Sequence, residues 1–184
     1  MKKVLVLGAG LVSGPLVHYL LARDDLEVVV ATRRPQKAEA LVAGHPHGRA
    51  VALDAADGAA LRELVNAADL CISLLPPALH IDVARLALEA GKHFVTTSYV
   101  SEPMKQLDDP ARKAGLTFLN EVGLDPGIDH MSALRIIHRI QNAGGTVTAF
   151  RSYCGGLPAP EACQWSSKAW KSTKSVCLSR SASP

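Results

Sequence analysis

Short apolar runs alternate with amphipathic segments along most of the chain. Each run is too short for a helix and is bounded by glycine, proline or charged residues, which predicts buried strands. The segments between them repeat their apolar positions every three or four residues, which predicts helices. The predicted strands are Val4–Leu7, Glu27–Ala31, Ala50–Leu53, Leu70–Leu74, His93–Thr96 and Leu116–Leu119. The predicted helices are Leu11–Arg23, Pro35–Val42, Gly58–Ala67 with Asp57 as its cap, Leu79–Ala90, and Glu102–Ala114 interrupted near Pro110.

Strands that alternate with helices and short loops indicate a parallel sheet covered on both faces. Right-handed crossovers arrange such a chain as an α/β fold, a Rossmann-like doubly wound parallel sheet that binds ligands at the carboxyl ends of its strands. A further helix is predicted over Ile128–Asn142, and a strand over Gly145–Tyr153. We interpret that strand as the start of a second, α+β domain.

The composition is that of a packed protein. Hydrophobic residues make up 48% of the 184 residues and charged residues 20%. No apolar run reaches the roughly 18 residues of a membrane span, so we expect no membrane association. Val4–Leu7 is too short for the apolar region of an export signal, which favours a cytoplasmic location. The cysteines form no CxxC pair, and no metal site is predicted.

The positive charge is concentrated at the end of the chain. Residues 164–184 are rich in serine, contain no acidic residue, and include Lys168, Lys171, Lys174 and Arg180. Because the net charge of the whole chain is only +3, the remainder has no basic surplus, and we expect no nucleic-acid partner. The tail lacks any periodicity, which predicts disorder.

A glycine-rich turn joins the first predicted strand to the first helix. In the segment GAGLVSG, Gly8 permits a tight turn, and Gly10 leaves room for a pyrophosphate. The amides of Leu11, Val12 and Ser13, at the start of the helix, would then bind the phosphates. Ser13 stands where the fingerprint has its third glycine, so the match is imperfect. A glycine turn without a ligand is the alternative.

The residues after the second strand favour NADP over NAD, although NAD stays possible. An acidic residue there would bind a ribose 2′-hydroxyl, but this chain has Thr32, Arg33 and Arg34. Two guanidinium groups and a hydroxyl suit a 2′-phosphate. The alternative is a solvated basic turn. By topology, Asp54 would face the adenine and Leu75 the nicotinamide, although ordinary loop roles are an equal alternative for both.

Five longer motifs resemble the saccharopine dehydrogenase family, in particular the glutamate-forming enzymes. They are GAGLVSGP, SLLPPALH, TTSYVS, EVGLDPGIDHM and YCGGLPAPE, and the resemblance covers roughly residues 3–162. It implies NADP-dependent oxidoreductase chemistry in lysine metabolism, in which saccharopine is interconverted with glutamate and 2-aminoadipate 6-semialdehyde. It also implies a small amino-acid substrate and a possible homodimer at full length.

The resemblance also implies roles for individual residues. Ser98 and Tyr99 match positions that contact substrate, and Asp125 matches a carboxylate near the reacting centre, with Cys154 close by. We predict Asp125, Tyr99 and Cys154 as catalytic and Ser98, Tyr99 and Asp125 as substrate-binding. The alternatives are an Asx turn before Pro126 for the aspartate, packing for the tyrosine, and a small buried apolar residue for the cysteine.

Members of the resembled family continue well beyond the length of this chain. We therefore expect a Rossmann domain over residues 1–143, the start of a truncated substrate domain over 144–162, and a divergent tail over 163–184, which a frameshift or mis-splicing would explain. Two alternatives to saccharopine chemistry stay open, a related imine reductase acting on another amino acid or a polyamine, and a non-catalytic NADP-binding module. Whether this chain is itself an active enzyme is left open.

Overall fold

The computed structural model describes residues 1–151 of the chain. The chain divides into two units, Met1–Gly127 and a second that begins at Ile128. The strands of the described part are β1 Lys2–Leu7, β2 Leu26–Thr32, β3 Gly48–Ala52, β4 Leu70–Ser73, β5 His93–Thr96 and β6 Phe118–Leu119. The helices are α1 Ser13–Leu21, α2 Pro35–Val42, α3 Gly58–Asn66, α4 His80–Glu89, α5 Glu102–Lys105, α6 Asp108–Lys113 and α7 Ile128–Asn142, with a 3-10 turn at Pro77–Leu79.

The strands form one parallel sheet in the order β3-β2-β1-β4-β5-β6. The order reverses beside β1, as in dinucleotide-binding Rossmann sheets. The prediction of a doubly wound parallel sheet is therefore confirmed.

The two faces of the sheet carry separate hydrophobic clusters. Leu5 and Leu7 of β1 lie in one cluster, and Val4 and Val6 lie in the other. Successive strand residues point to opposite faces, so a central strand must be apolar at every position when helices cover both sides. This explains why β1 appears in the sequence as an unbroken apolar run.

Capping determines where α3 begins. The Asp57 carboxylate accepts hydrogen bonds from the amides of Ala59 and Ala60, both at 3.1 Å. These two N–H groups have no intrahelical partner in the first turn of a helix. The predicted cap is confirmed.

Two predicted elements differ from the structure in more than their end residues. The helical segment predicted over Glu102–Ala114 is interrupted at Gln106 and Leu107 and not near Pro110. Pro110 lies in the first turn of α6, where a missing N–H costs no hydrogen bond. The strand predicted over Gly145–Tyr153 is absent from its described part, residues 145–151, because none of the described strands pairs with it. Residues 152–184, which include the tail predicted to be disordered, lie outside the described residues.

Helix α7 belongs to the second unit. Most of its large apolar side chains are exposed, among them Ile128, Met131 and Ile136. Among residues 1–151, no helix has both the length and the apolar character that a membrane crossing requires.

Candidate cofactor and substrate site

Most of the predicted site residues lie at the carboxyl edge of the sheet. Parallel strands all end at the same edge, so the segments that follow them are brought together there. Backbone hydrogen bonds tie these segments to neighbouring strands. The amide of Gly8 donates to Ala31 O at 2.8 Å, and that of Leu74 to Leu7 O at 2.8 Å.

The turn after β1 requires glycine at position 8. Gly8 has φ +108°, and a β-carbon there would lie 2.9 Å from the carbonyl oxygen of Leu74. An L side chain would therefore meet both an unfavourable backbone conformation and a rigid backbone atom. This residue allows the chain to turn sharply against the loop after β4.

Gly10, Leu11 and Val12 leave an open corner at the start of α1. A β-carbon on Gly10 would have no heavy atom within 4 Å, and the side chains of Leu11 and Val12 are exposed. Within residues 1–151, the amides of Gly10, Leu11 and Val12 donate to no protein acceptor. Such amides, together with the positive end of a helix dipole, are suited to bind an anion.

Ser13 stabilises this turn from the inside. Its side chain is fully buried, and its hydroxyl donates to the carbonyl oxygen of Gly10 at 2.7 Å. The hydroxyl is therefore engaged within the turn. Serine at the third position of the fingerprint keeps the open conformation by a local hydrogen bond.

The basic residues after β2 are available to a ligand. Arg33 and Arg34 are exposed, and neither guanidinium makes a hydrogen bond or an ion pair with another residue in the described part of the chain. The Thr32 hydroxyl makes only a long contact of 3.5 Å with the Arg34 amide. These donors end the strand next to β1, on the side of the sheet where the ribose of a dinucleotide would lie.

Asp54 and Leu75 have local structural roles as well. Asp54 is exposed, and its Oδ1 accepts from the Ala56 amide at 3.1 Å, an Asx turn. Leu75 packs against the hydrophobic cluster that contains Leu7.

Tyr99 and Asp125 lie together after β5 and β6. The Tyr99 hydroxyl donates to Asp125 Oδ1 at 2.9 Å, and both side chains are exposed. The Asp125 turn is tight, because the Gly123 amide donates to Pro126 O at 2.8 Å and a β-carbon on Gly127 would overlap the Gly123 backbone. The aspartate carboxylate thus contacts a phenol 26 residues away in the sequence.

Ser98 belongs to a chain of three polar side chains. His80 Nδ1 lies 2.8 Å from Ser73 Oγ, and His80 Nε2 lies 2.8 Å from Ser98 Oγ. Ser73 ends β4 and is fully buried, and His80 begins α4 and is 3% exposed. Burial lowers the pKa of His80 below its usual 6.5, so that the ring is neutral at pH 7.

Two family models match this chain, and the boundary between them lies close to the boundary between its two units. The family described as saccharopine dehydrogenase NADP binding domain matches residues 4–119, and the saccharopine dehydrogenase C-terminal domain matches residues 123–174. The chain belongs to the saccharopine dehydrogenase family. The second match continues past residue 162, where the motif resemblance ends.

Known proteins are similar in sequence to this saccharopine dehydrogenase family member over most of its length. Saccharopine dehydrogenase [NADP(+), L-glutamate-forming] of Schizosaccharomyces pombe is 47% identical over 88% of the chain and 36% of the relative. The mitochondrial alpha-aminoadipic semialdehyde synthase of Mus musculus is 41% identical over 87% of the chain and 17% of the relative. The solved apo saccharopine dehydrogenase (L-Glu forming) of Saccharomyces cerevisiae is 43% identical, with a TM-score of 0.75 over 88% of this chain and 36% of that chain. The chain thus spans about a third of the length of the fungal relatives.

The described residues fit the cofactor in the family description, and the prediction of NADP is confirmed by the family. The open corner at Gly10 leaves space for a pyrophosphate, and Arg33 and Arg34 have no competing partner among residues 1–151. Bound NADP would supply the acceptor or donor of a hydride.

The predicted site residues of this saccharopine dehydrogenase family member that the structure describes lie at the carboxyl edge of the sheet. One predicted residue cannot be placed, and two residues of the site were not predicted. Cys154 lies outside the described residues. Ser73 and His80 were not predicted, although His80 ends the SLLPPALH motif. The signal that could have found it is a histidine at the start of the helix that follows a strand of the ligand-binding edge.

Proposed function

We propose that this chain is the cofactor-binding part of an NADP-dependent, glutamate-forming saccharopine dehydrogenase. The activity interconverts saccharopine with glutamate and 2-aminoadipate 6-semialdehyde. The observation that carries the proposal is the position of the Tyr99–Asp125 pair at the same sheet edge as the open glycine corner and the exposed Arg33 and Arg34. A binding site and a proton-handling pair are thereby held by one set of parallel strands.

The protein residues would divide the work as follows. The amides of Gly10, Leu11 and Val12 hold the pyrophosphate, and Arg33 and Arg34 hold the 2′-phosphate. Both anchors follow β1 and β2, so the loops after β4 and β5 would be left for the nicotinamide and the substrate. Leu75 borders this part of the site, and Asp54 borders the adenine.

Asp125 and Tyr99 would act on the substrate amine. Oxidation at the carbon next to a secondary amine requires the neutral amine, and the resulting imine is hydrolysed by water. A carboxylate near the nitrogen can orient the amine and accept its proton. The Tyr99 hydroxyl donates to one oxygen of Asp125, which orients the carboxylate towards the substrate. Cys154 stays a predicted neighbour of this centre.

Cofactor and substrate binding can be tested on the chain itself. NADPH and NADH affinities are measured by fluorescence titration, and turnover is then measured with saccharopine and NADP⁺. Preferential binding of NADPH together with turnover supports the proposal. Binding without turnover favours a non-catalytic NADP-binding module, and preference for NADH contradicts the role of Arg33 and Arg34.

A charge reversal tests the phosphate contact separately. Arg33→Asp should weaken NADPH binding by about 10- to 100-fold, since a hydrogen bond to a charged group contributes about 1.5–3 kcal/mol. NADH affinity should change little because NADH lacks the 2′-phosphate. Arg49→Asp is the matched control. This exposed arginine lies at the amino end of β3, away from the carboxyl ends of the strands where the site lies. Equal losses for NADPH and NADH would contradict the assignment.

The compartment and the assembly are part of the same proposal. The predicted cytoplasmic location is tested by expressing the chain with a fluorescent tag and following the soluble cytosolic fraction. The predicted homodimer concerns the full-length protein, and analytical ultracentrifugation of that protein tests it.

A further inference from the structure

Ser73, His80 and Ser98 form a continuous hydrogen-bonded chain from the core of the sheet to the candidate site. Ser73 Oγ and Ser98 Oγ each lie 2.8 Å from a nitrogen of the His80 ring. The chain is anchored at both ends. The Thr96 hydroxyl donates to the carbonyl oxygen of Ser73 at 3.1 Å, and the Glu121 amide donates to that of Ser98 at 3.1 Å.

The donor role of the Ser73 hydroxyl sets the direction of both hydrogen bonds to the His80 ring. Ser73 is fully buried, and within residues 1–151 the one acceptor recorded for its hydroxyl is His80 Nδ1. A buried hydroxyl that does not donate loses a hydrogen bond, which costs about 1–3 kcal/mol. The Ser73 hydroxyl therefore donates to Nδ1, and Nδ1 cannot carry a proton.

The neutral ring then carries its proton on Nε2. Nε2–H donates to Ser98 Oγ, which occupies an acceptor position on that oxygen. The hydroxyl proton of Ser98 cannot be directed back to the ring. It is free to be donated to a group outside the chain of three side chains.

We propose that His80 is a positioning residue that holds Ser98 as a hydrogen-bond donor towards an anionic group of the substrate. A carboxylate accepts hydrogen bonds and donates none when it is ionised, whereas an ammonium group only donates. The arrangement therefore leaves the Ser98 hydroxyl proton for an acceptor such as a substrate carboxylate. The identity of the ligand rests on the proposed function, but the direction of the hydrogen bonds does not.

The tautomer of His80 tests the direction directly. Long-range proton–nitrogen correlation spectra of the ¹⁵N-labelled chain distinguish a protonated Nε2 from a protonated Nδ1. The chain contains seven histidines, so the spectrum of His80→Gln identifies the signals of His80. We expect Nε2 to carry the proton. A proton on Nδ1 would overturn the proposal.

Substitutions at Ser73 test the source of this preference. Ser73→Ala removes the donor to Nδ1 and should give a mixture of tautomers, whereas Ser73→Thr keeps a hydroxyl and should restore the Nε2–H form. Ser132→Ala on α7 is the matched control and should leave the His80 signals unchanged. If Ser73→Ala does not fold, Ser98→Ala serves instead, and its Nε2–H signal should shift because the acceptor is lost. Unchanged His80 signals in the folded variant would contradict the proposal.

A substrate titration separates this inference from the proposed function. Saccharopine is added to the chain saturated with NADP⁺, and the His80 Nε2–H signal is followed. Donation by Ser98 to a carboxylate polarises the neighbouring hydrogen bond, so the signal should move in the wild type and stay constant in Ser98→Ala. Bound saccharopine without a change at His80 would overturn the inference. A chain that has the Nε2–H tautomer but does not bind saccharopine supports the hydrogen-bond direction and contradicts the proposed substrate.

Discussion

Replacing Gly10 by alanine should weaken cofactor binding without affecting the fold. The β-carbon would point into open space, with no protein atom within 4 Å, and Gly10 does not adopt a positive φ. The substitution should therefore change the free energy of unfolding by no more than about 0.5 kcal/mol, as is usual for exposed positions. The same methyl group would occupy the space that a pyrophosphate needs in order to reach the amides.

The expected loss of NADPH affinity follows from the free-energy cost of inserting an extra methyl group into a packed contact. One extra methyl group in such a contact costs about 1–3 kcal/mol. Since about 1.4 kcal/mol corresponds to a tenfold change in affinity, NADPH should bind about 5- to 150-fold more weakly. NADH should lose the same factor because both cofactors share the pyrophosphate.

Two other glycines make the test specific. Gly58→Ala also places a methyl group in open space, so it should keep the NADPH affinity and should not lower the melting temperature. Gly8→Ala should lower the melting temperature by at least about 2–4 °C, because this residue has φ +108° and its β-carbon would approach Leu74 O to 2.9 Å. Affinities come from fluorescence titration and melting temperatures from circular dichroism. A Gly10→Ala variant that binds NADPH like the wild type would refute the pyrophosphate site.

Three further predictions follow from buried or capping groups. Asp57→Ala should reduce the free energy of unfolding by about 1 kcal/mol in urea titrations, because two amides of α3 lose their acceptor, and an unchanged midpoint would contradict the cap. Cys71 should resist iodoacetamide in the native state and react after unfolding, since burial raises the pKa of its thiol to about 12; peptide mass spectrometry that finds rapid native labelling would refute this. The folded-state pKa of His80 lies below 6.5. Below pH 6.5 the unfolded chain therefore binds a proton at His80 more readily than the folded chain does. The free energy of unfolding should fall as the pH decreases from 6.5 towards the folded-state pKa. Urea midpoints at pH 7.5 and 5.5 should therefore differ more in the wild type than in His80→Gln, and equal differences would show that the ring does not contribute.

Features that depend on neighbouring residues were predictable from the sequence. The unbroken apolar run of β1, the glycine turn after it and the Asp57 cap are local patterns, and each appears in the structure as expected. The NADP preference is local too, because Thr32, Arg33 and Arg34 follow one another directly. The predicted bounds of α2 and α7 agree with the structure for the same reason, since the helical period is visible within each segment.

Where local rules left alternatives, the tertiary structure decided between them. Proline is compatible both with a helix break and with a first helical turn, and the packing of α6 selected the first turn for Pro110. A run of strand-forming residues needs a partner strand, and residues 145–151 have none in the described part of the chain. Neither outcome can be read from the segment alone.

The contacts that give the site its chemistry were set by the fold. Tyr99 and Asp125 are 26 residues apart, and His80 bridges serines that lie 7 and 18 residues from it. No periodicity links such positions, because each follows or faces a different strand. They meet because parallel strands end at one edge of the sheet, and the order of those strands is a property of the folded chain.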